Sequence, residues 1–139
     1  MKKQIIPLVT SLAVAAVLLA AAGADAKVVA SGSFYKVDLD TRAAGDQVVA
    51  TIKVTGAGGY HCNTLYPWKL TLSAGDGVTL TKDKLKKGDA KTFTEDAVVF
   101  EVPYTAAAGA GKVRAVLKIS LCDEKQCQME KVELAWPAR

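Results

Sequence analysis

Histidine and cysteine are scarce in this sequence of 139 residues, which contains one histidine and three cysteines. A single histidine excludes any site that needs two or more imidazoles, such as a blue-copper centre, and no C-x-x-C-H run for haem attachment occurs. Three cysteines are too few for a small scaffold held mainly by disulfides. There is no nucleophile elbow, and glycine-rich residues 56–59 lack the lysine and the following helix of a phosphate-binding loop. Hydrolase and nucleotide chemistry are therefore not expected.

Apolar residues make up half of the chain, and charged residues make up 23% of it. This composition excludes a disordered chain, which combines low hydrophobicity with high net charge. The length corresponds to a single domain. The net charge is +4, and the one dense basic run, Lys82–Lys87, has no aromatic stacking platform beside it. A nucleic-acid partner is therefore not predicted.

The first 26 residues have the features of a secretory signal peptide. Two lysines precede the almost wholly apolar run Ile5–Ala22, and Ala24-Asp25-Ala26 is an A-x-A cleavage site. A retained membrane anchor is the alternative, because the apolar run is nearly long enough to span a bilayer. The prediction is a signal peptide at residues 1–26 and one periplasmic or secreted domain at residues 27–139, with no further membrane span.

The rest of the sequence is predicted to form β-strands. Short apolar or alternating segments recur between turn residues, as in 47–55, where the apolar residues fall on one side of an extended chain. No window shows a helical period over ten or more residues. About seven or eight short strands, one of them at 97–102 and ended by Pro103, predict an all-β antiparallel sandwich. A closed barrel is the alternative architecture.

The last two strands, 113–122 and 128–136, can be paired as a hairpin whose tip is Asp123–Gln126. In this register the apolar side chains of the two strands coincide on one face, as a buried side requires. The register also places Lys118 opposite Lys131. This pair of like charges is unfavourable, and a β-bulge could relieve it.

The same register places Cys122 directly opposite Cys127, at the hairpin tip and on the polar face. Opposed Cβ atoms lie about 4.5–5.5 Å apart, and slight closure brings such a pair within disulfide range. A disulfide there would be accessible to the thiol of another protein, and it would close too short a loop to restrain much of the unfolded chain. Asp123 and Glu124 disfavour a thiolate and Lys125 favours one, so the pair is predicted to be attacked rather than to attack.

The third cysteine, Cys62, leaves the pairing open, since three cysteines allow three single disulfides. The alternatives for it are a half-buried free thiol and a cross-sandwich bridge to Cys122. A metal site is a further hypothesis, because imidazole and sulfur ligands suit Cu(I) or zinc. Its candidate ligands are His61, Cys62, Cys122, Cys127 and Met129, although their spacing matches no zinc motif.

Three segments of the sequence resemble one family. They are Gly59-Tyr60-His61 with Tyr66-Pro67 downstream, the strand Phe100–Pro103, and the closing hairpin Leu117–Trp136 with its two cysteines. Together they resemble the amino-terminal immunoglobulin-like periplasmic domain of the bacterial thiol:disulfide interchange protein DsbD, and small exported homologues of that domain. The resemblance extends over residues 51–136, and the hairpin is its most specific part.

The resemblance implies an immunoglobulin-like sandwich in which Cys122 and Cys127 are a redox-active pair. In the family the pair accepts electrons from a membrane-embedded partner and passes them to periplasmic oxidoreductases, with no added cofactor. The Cys-x4-Cys spacing here is one residue shorter than in the family. The stretch Lys84–Phe93, which corresponds to an aromatic cap loop, has Phe93 as its one aromatic residue. The chain has no membrane domain, so its electron donor would be a separate protein.

Three functions are therefore predicted, in order of preference. The first is an exported thiol:disulfide interchange domain that uses the hairpin cysteine pair. The second is a periplasmic protein that binds a soft metal, Cu(I) or zinc, through the same sulfurs. The third is a structural or interaction module in which the pair only fixes the hairpin tip.

Overall fold

The computed structural model describes residues 26–139 of the chain. The predicted signal peptide lies outside these residues except for Ala26, so that segment stays a prediction. Among the described residues, no helix has the length and apolar character that crossing a membrane requires.

The described residues form β-strands and a single turn of 3-10 helix. The strands are β1 Lys27–Ser31, β2 Tyr35–Ala44, β3 Gln47–Gly56, β4 His61–Cys62, β5 Lys69–Ala74, β6 Val78–Leu80, β7 Lys84–Lys86, β8 Thr92–Phe93, β9 Val98–Ala106, β10 Lys112–Cys122 and β11 Cys127–Pro137. The helical turn, Lys87–Asp89, lies between β7 and β8. Seven strands have five or more residues, in agreement with the predicted number, and the other four have two or three.

The strands belong to two antiparallel sheets. The order in the first sheet is β1-β2-β3-β9-β6, with β8 also paired to β9, and the order in the second is β11-β10-β5-β7, with β4 also paired to β10. The inner faces of the sheets enclose one cluster of buried apolar side chains. The structure confirms the predicted immunoglobulin-like antiparallel β-sandwich, and the two separate sheets exclude the closed barrel.

The core is built by alternation along the strands. Every second residue of β9 from Val98 to Ala106 is buried, and the residues between them are partly exposed. Both tryptophans, Trp68 and Trp136, are buried. The Trp136 indole N–H donates to the hydroxyl of Tyr104 (3.3 Å), which donates to the carbonyl of Ala138 (3.2 Å). The polar atoms of these buried rings are therefore satisfied.

β9 continues through Pro103 to Ala106, although the sequence predicts that the strand ends at this proline. In an antiparallel ladder the N–H and C=O of one residue point to the same side. The Pro103 carbonyl accepts a hydrogen bond from the Thr81 N–H beside β6 (3.3 Å), so the N–H that proline lacks would point away from β3. Pro103 therefore removes no bond from the β3–β9 ladder, which explains why the strand tolerates it.

The closing hairpin adopts the predicted register over its whole length. β10 and β11 pair continuously up to the two cysteines at the tip. The register is not interrupted by a β-bulge, so Lys118 and Lys131 remain directly opposite each other. No bulge separates the two lysines, so the sheet retains this unfavourable pair of like charges.

β4 has only two residues, His61 and Cys62. The Asn63 side-chain oxygen accepts a hydrogen bond from the N–H of Leu65 (3.1 Å), which turns the chain away from β10. Asn63 also donates to Ser120, through its backbone N–H (2.9 Å) and through its side-chain amide (3.2 Å). These contacts cover Ser120, which explains why its side chain is buried although it lies on the predicted polar face.

Candidate functional site

The hairpin tip carries a disulfide between Cys122 and Cys127. The two Cα atoms are 3.9 Å apart, and the residues form the last pair of the β10–β11 ladder. Cys127 is exposed and Cys122 is partly exposed, so the bond lies at the surface of the second sheet. The disulfide is therefore within reach of a thiol on another protein.

Four residues, Asp123–Gln126, form the turn between the cysteines. One oxygen of the Asp123 carboxylate accepts hydrogen bonds from the N–H groups of Lys125 and Gln126, both at 2.8 Å. These two N–H groups, together with the Tyr60 hydroxyl, hold the pKa of Asp123 below its usual range. The carboxylate therefore fixes the turn that brings the two cysteines together.

His61 lies beside the disulfide on the neighbouring strand. β4 pairs with β10 so that His61 is directly opposite Cys122, and Cys62 is opposite Leu121. Directly opposed residues point to the same face of a sheet, with Cβ atoms about 4.5–5.5 Å apart. His61, Cys122 and Cys127 thus form one row across three strands on the exposed face. The sequence indicates that His61 and Cys62 face opposite ways, but it contains no signal for the strand with which β4 pairs.

Tyr60 supplies an aromatic contact at the hairpin tip. Its hydroxyl accepts a hydrogen bond from the side-chain amide of Gln126 (2.9 Å). Its ring centroid lies 5.6 Å from that of Phe34, which directly precedes β2. An aromatic pair from the β1–β2 and β3–β4 connections therefore supports one side of the tip.

The stretch Lys84–Phe93, which the family resemblance equates with a cap loop, has another position. Its first three residues form β7, at the edge of the second sheet. Phe93 packs edge-on against the buried Trp68, with 6.0 Å between ring centroids, and the Lys87 ammonium lies 5.6 Å from the Phe93 ring. Phe93 is thus part of the margin of the core, and the aromatic contact with the tip comes from Tyr60.

Cys62 is a free thiol that is fully buried, so it is more enclosed than the predicted half-buried cysteine. Its sulfur lies 3.7 Å from the carbonyl oxygen of Val54. Burial raises the pKa of the Cys62 thiol to about 11, the hydrogen bond with the Val98 backbone lowers it, and the charge of Asp96 raises it further. Cys62 therefore points into the core while Cys122, one residue beyond its pairing partner Leu121, points outward.

Met129 lies on the same face as the disulfide, one outward-facing position along β11. It pairs with Ser120 and is 69% exposed. The outward face thus carries four of the five candidate metal ligands, and the inward orientation of Cys62 removes the fifth. Within residues 26–139, His, Cys, Asp and Glu side chains form no group of three or more that could hold a metal ion.

Comparisons with known proteins bear on the fold. No family model matches the chain, and no curated protein matches it. The solved GAE domain of yeast GGA1 is similar to this chain with a TM-score of 0.50 and 10% sequence identity, over 81% of this chain and 99% of that one. The GAE domain of GGA2p from Saccharomyces cerevisiae gives a TM-score of 0.50 and 12% identity, over 81% and 97% of the two chains. At these identities the likeness establishes the sandwich fold alone.

Proposed function

We propose that the protein is an exported thiol:disulfide interchange domain whose redox centre is the pair Cys122 and Cys127. The observation that carries the proposal is the position of the disulfide, which lies at an accessible hairpin tip on the outward face of a sheet. Structural disulfides contribute most when they join distant segments, whereas this one spans five positions of sequence. The chain-entropy model gives such a short loop about 2 kcal/mol.

The exchange follows from the different exposure of the two cysteines. Cys127 is the more exposed residue, so a thiolate of a partner dithiol protein attacks its sulfur. A bond forms between the partner sulfur and Cys127, the bond between the two cysteines breaks, and Cys122 leaves as a thiolate. The second partner thiol, as a thiolate, then attacks the partner sulfur of the mixed disulfide, the bond from that sulfur to Cys127 breaks, and Cys127 leaves as a thiolate. The partner is oxidised to a disulfide, and the pair is reduced to two thiols with protons from solvent.

His61 is placed to assist the first of these steps. Its ring lies on the same face as Cys122 and next to it in the row. A hydrogen-bond donor beside a departing thiolate stabilises the negative charge that develops on sulfur. The partner classes are those that the DsbD resemblance implies, a periplasmic thiol:disulfide oxidoreductase and a membrane electron donor, and both require export of the chain.

A measured reduction potential tests the proposal. Equilibration with glutathione, followed by alkylation and mass spectrometry, would give the fraction of Cys122 and Cys127 in the disulfide at each potential. A value well above about −300 mV supports interchange, whereas a value below it marks a structural disulfide and overturns the proposal in favour of the structural module. Cys62→Ser is the control, because the buried thiol should leave the potential unchanged.

Soft-metal binding is a second candidate, because His61, Cys122, Cys127 and Met129 share the outward face. In the reduced protein these residues would offer one imidazole and three sulfur ligands, a set that suits Cu(I). Titration of reduced protein with Cu(I) tests it, with Met129→Ala as the variant and Cys62→Ser as the buried control. A loss of affinity with Met129→Ala alone supports the site, and equal affinity in all three proteins overturns it.

A further inference from the structure

A row of four lysines crosses the outward face of the second sheet. Lys86 on β7 is opposite Lys69 on β5, Lys69 is opposite Lys118 on β10, and Lys118 is opposite Lys131 on β11. Three of the four are exposed, and Lys69 is partly exposed. With strands about 4.8 Å apart, the row is about 14 Å long and covers the width of the sheet.

Within the described part of the chain, no lysine of the row forms an ion pair. The ion pairs found there use Lys36, Arg42, Lys82 and Lys91, and none includes a lysine of the row. Asp89 lies near one end, where one carboxylate oxygen pairs with Lys82 at 2.8 Å and the other accepts a hydrogen bond from the backbone N–H of Lys86 (2.9 Å). Glu130 is adjacent to Lys131 and accepts a hydrogen bond from its backbone N–H (3.2 Å), and Glu133 is paired with Val116 in the next row. Like charges directly opposite each other destabilise a sheet, so the row costs stability.

The row and the disulfide lie on one continuous surface. Lys118 is four residues from Cys122 along β10, which corresponds to about 13 Å in an extended strand. Between them lies Met129, and Tyr66 forms a shallow groove with Met129, Glu130, Lys118 and Lys131. Met129 is 69% exposed and Leu65, at the turn of the same loop, is 90% exposed. An apolar strip therefore separates the positive row from the sulfur pair.

We propose that this face is the docking surface for the thiol-bearing partner, and that the partner carries a strip of acidic side chains about 13 Å from its reactive cysteine. The inference rests on the proposed interchange function and specifies its partner. An acidic strip would neutralise the lysine row while an apolar contact covers Met129 and Leu65. A lipid surface fits less well, because the positive charge is confined to one row and a membrane on this face would cover the disulfide.

Two synthetic peptides with the same single-cysteine centre provide the test. In the first peptide, a spacer of four residues, about 13 Å long when extended, separates the cysteine from a block of aspartates. In the second peptide, serines replace the aspartates. The measured quantity is the rate at which each peptide forms a mixed disulfide, at low and at high salt. The protein is compared with Lys118→Gln/Lys131→Gln and with a control of equal charge loss on the first sheet, Lys27→Gln/Lys53→Gln.

The acidic peptide should react about tenfold more slowly with Lys118→Gln/Lys131→Gln than with the unchanged protein, and the difference should vanish at high salt. The control double variant should match the unchanged protein, and the serine peptide should react equally with all three. Equal slowing by both double variants would reduce the effect to net charge and overturn the proposal, as would no slowing by either.

A binding measurement separates failure of docking from failure of interchange. The acidic peptide with serine in place of its cysteine is titrated into isotope-labelled protein. Amide shifts centred on Lys118, Lys131 and Met129 support docking even if the disulfide proves unreactive. Absence of shifts there overturns docking even if the disulfide exchanges rapidly with neutral thiols. If the protein sediments with vesicles of phosphatidylglycerol and phosphatidylcholine but does not bind the peptide, the lysine row binds a lipid surface. That result would overturn the proposal of an acidic protein partner.

Discussion

His61 lies directly opposite Cys122 across the short ladder between β4 and β10, so the one imidazole of the chain stands next to one sulfur of its one disulfide. The pairing depends on the backbone of Cys62, whose side chain is anchored in the core and thereby turns His61 outward. The buried cysteine and the exposed histidine are thus two consequences of one two-residue strand. The arrangement gives Cys122, rather than Cys127, an adjacent hydrogen-bond donor.

Replacing His61 with alanine should slow reduction of the disulfide by a neutral dithiol by about tenfold or more, because the departing Cys122 thiolate loses its hydrogen-bond donor. The residue is exposed, so the thermal midpoint should stay unchanged. Stopped-flow measurement of reduction with dithiothreitol gives the rate. His61→Gln, which keeps a donor, should recover part of it. Equal rates for all three proteins would show that the imidazole takes no part in the exchange.

Burial of Cys62 should make the stability of the protein depend on pH in the alkaline range. Its pKa is raised from 9.0 to about 11, so the folded state keeps its proton where the unfolded state loses it. This contribution is fully present below pH 9.0 and is lost as pH rises through about 11, with a loss of roughly 1 kcal/mol between about pH 8 and 10. Urea unfolding measures it.

The comparison is made in a Cys122→Ser/Cys127→Ser background, so that no disulfide exchange occurs in the unfolded chain. Other groups also titrate in this range, since burial raises the pKa of Tyr104. The contribution of Cys62 is therefore the difference between this background and the same background with Cys62→Ala. If the two proteins lose stability equally over this range, the thiol titrates in the folded state as it does in the unfolded state, and the assigned burial is wrong.

The hairpin could be predicted from the sequence in detail because a four-residue tip links its strands, so alternation and turn length together determine the register. Long-range pairings had no such signal. The positions of His61 beside Cys122 and of Lys69 beside Lys118 are set by the sandwich topology, which brings β4 and β5 to the same edge of β10. For that reason, the contact of His61 with Cys122 and the extension of the lysine row to Lys69 could not be predicted from the sequence.

Local rules were wrong where tertiary contacts changed their meaning. Proline normally ends a strand, but Pro103 lies where its missing N–H faces no ladder partner of β3. Cys62 was expected to be a half-buried free thiol, because free cysteine is commonly buried. In the structure, the pairing with β10 and the hydrogen bond from its N–H to the Glu95 carbonyl (2.9 Å) enclose it on both sides.

Loss of the Asp123 carboxylate should loosen the hairpin tip. Its pKa lies below the usual 3.8, so its hydrogen bonds are fully present above that pH and are lost as pH falls through the lower folded value. Amide hydrogen exchange at Lys125 and Gln126 reports the loss, and Asp123→Ala should accelerate it near neutral pH by about tenfold. Asp123→Asn keeps an acceptor oxygen and should resemble the unchanged protein. Unaltered exchange in Asp123→Ala would mean that the disulfide alone holds the turn.

Replacing Lys118 with glutamate should stabilise the protein. The substitution converts two like-charge cross-strand pairs, with Lys69 and with Lys131, into two opposite-charge pairs, and the expected gain is about 1 kcal/mol. For a domain of this size that corresponds to a rise of about 4 °C in the thermal midpoint. Because the residues are exposed, salt should screen the effect, and the rise should shrink as ionic strength increases.

Arg114→Glu is the matched control, since Arg114 lies on the same strand and face but is paired with the uncharged Ser73 and Ala135. It makes the same change in net charge without relieving a like-charge pair, so its thermal midpoint should move little. An equal rise in both variants would mean that the gain comes from the change in net charge. The repulsion between the opposed lysines would then not destabilise the sheet. A rise with Lys118→Glu alone, accompanied by slower reaction with the acidic peptide, would show that the sheet keeps an unfavourable charge row because the partner requires it.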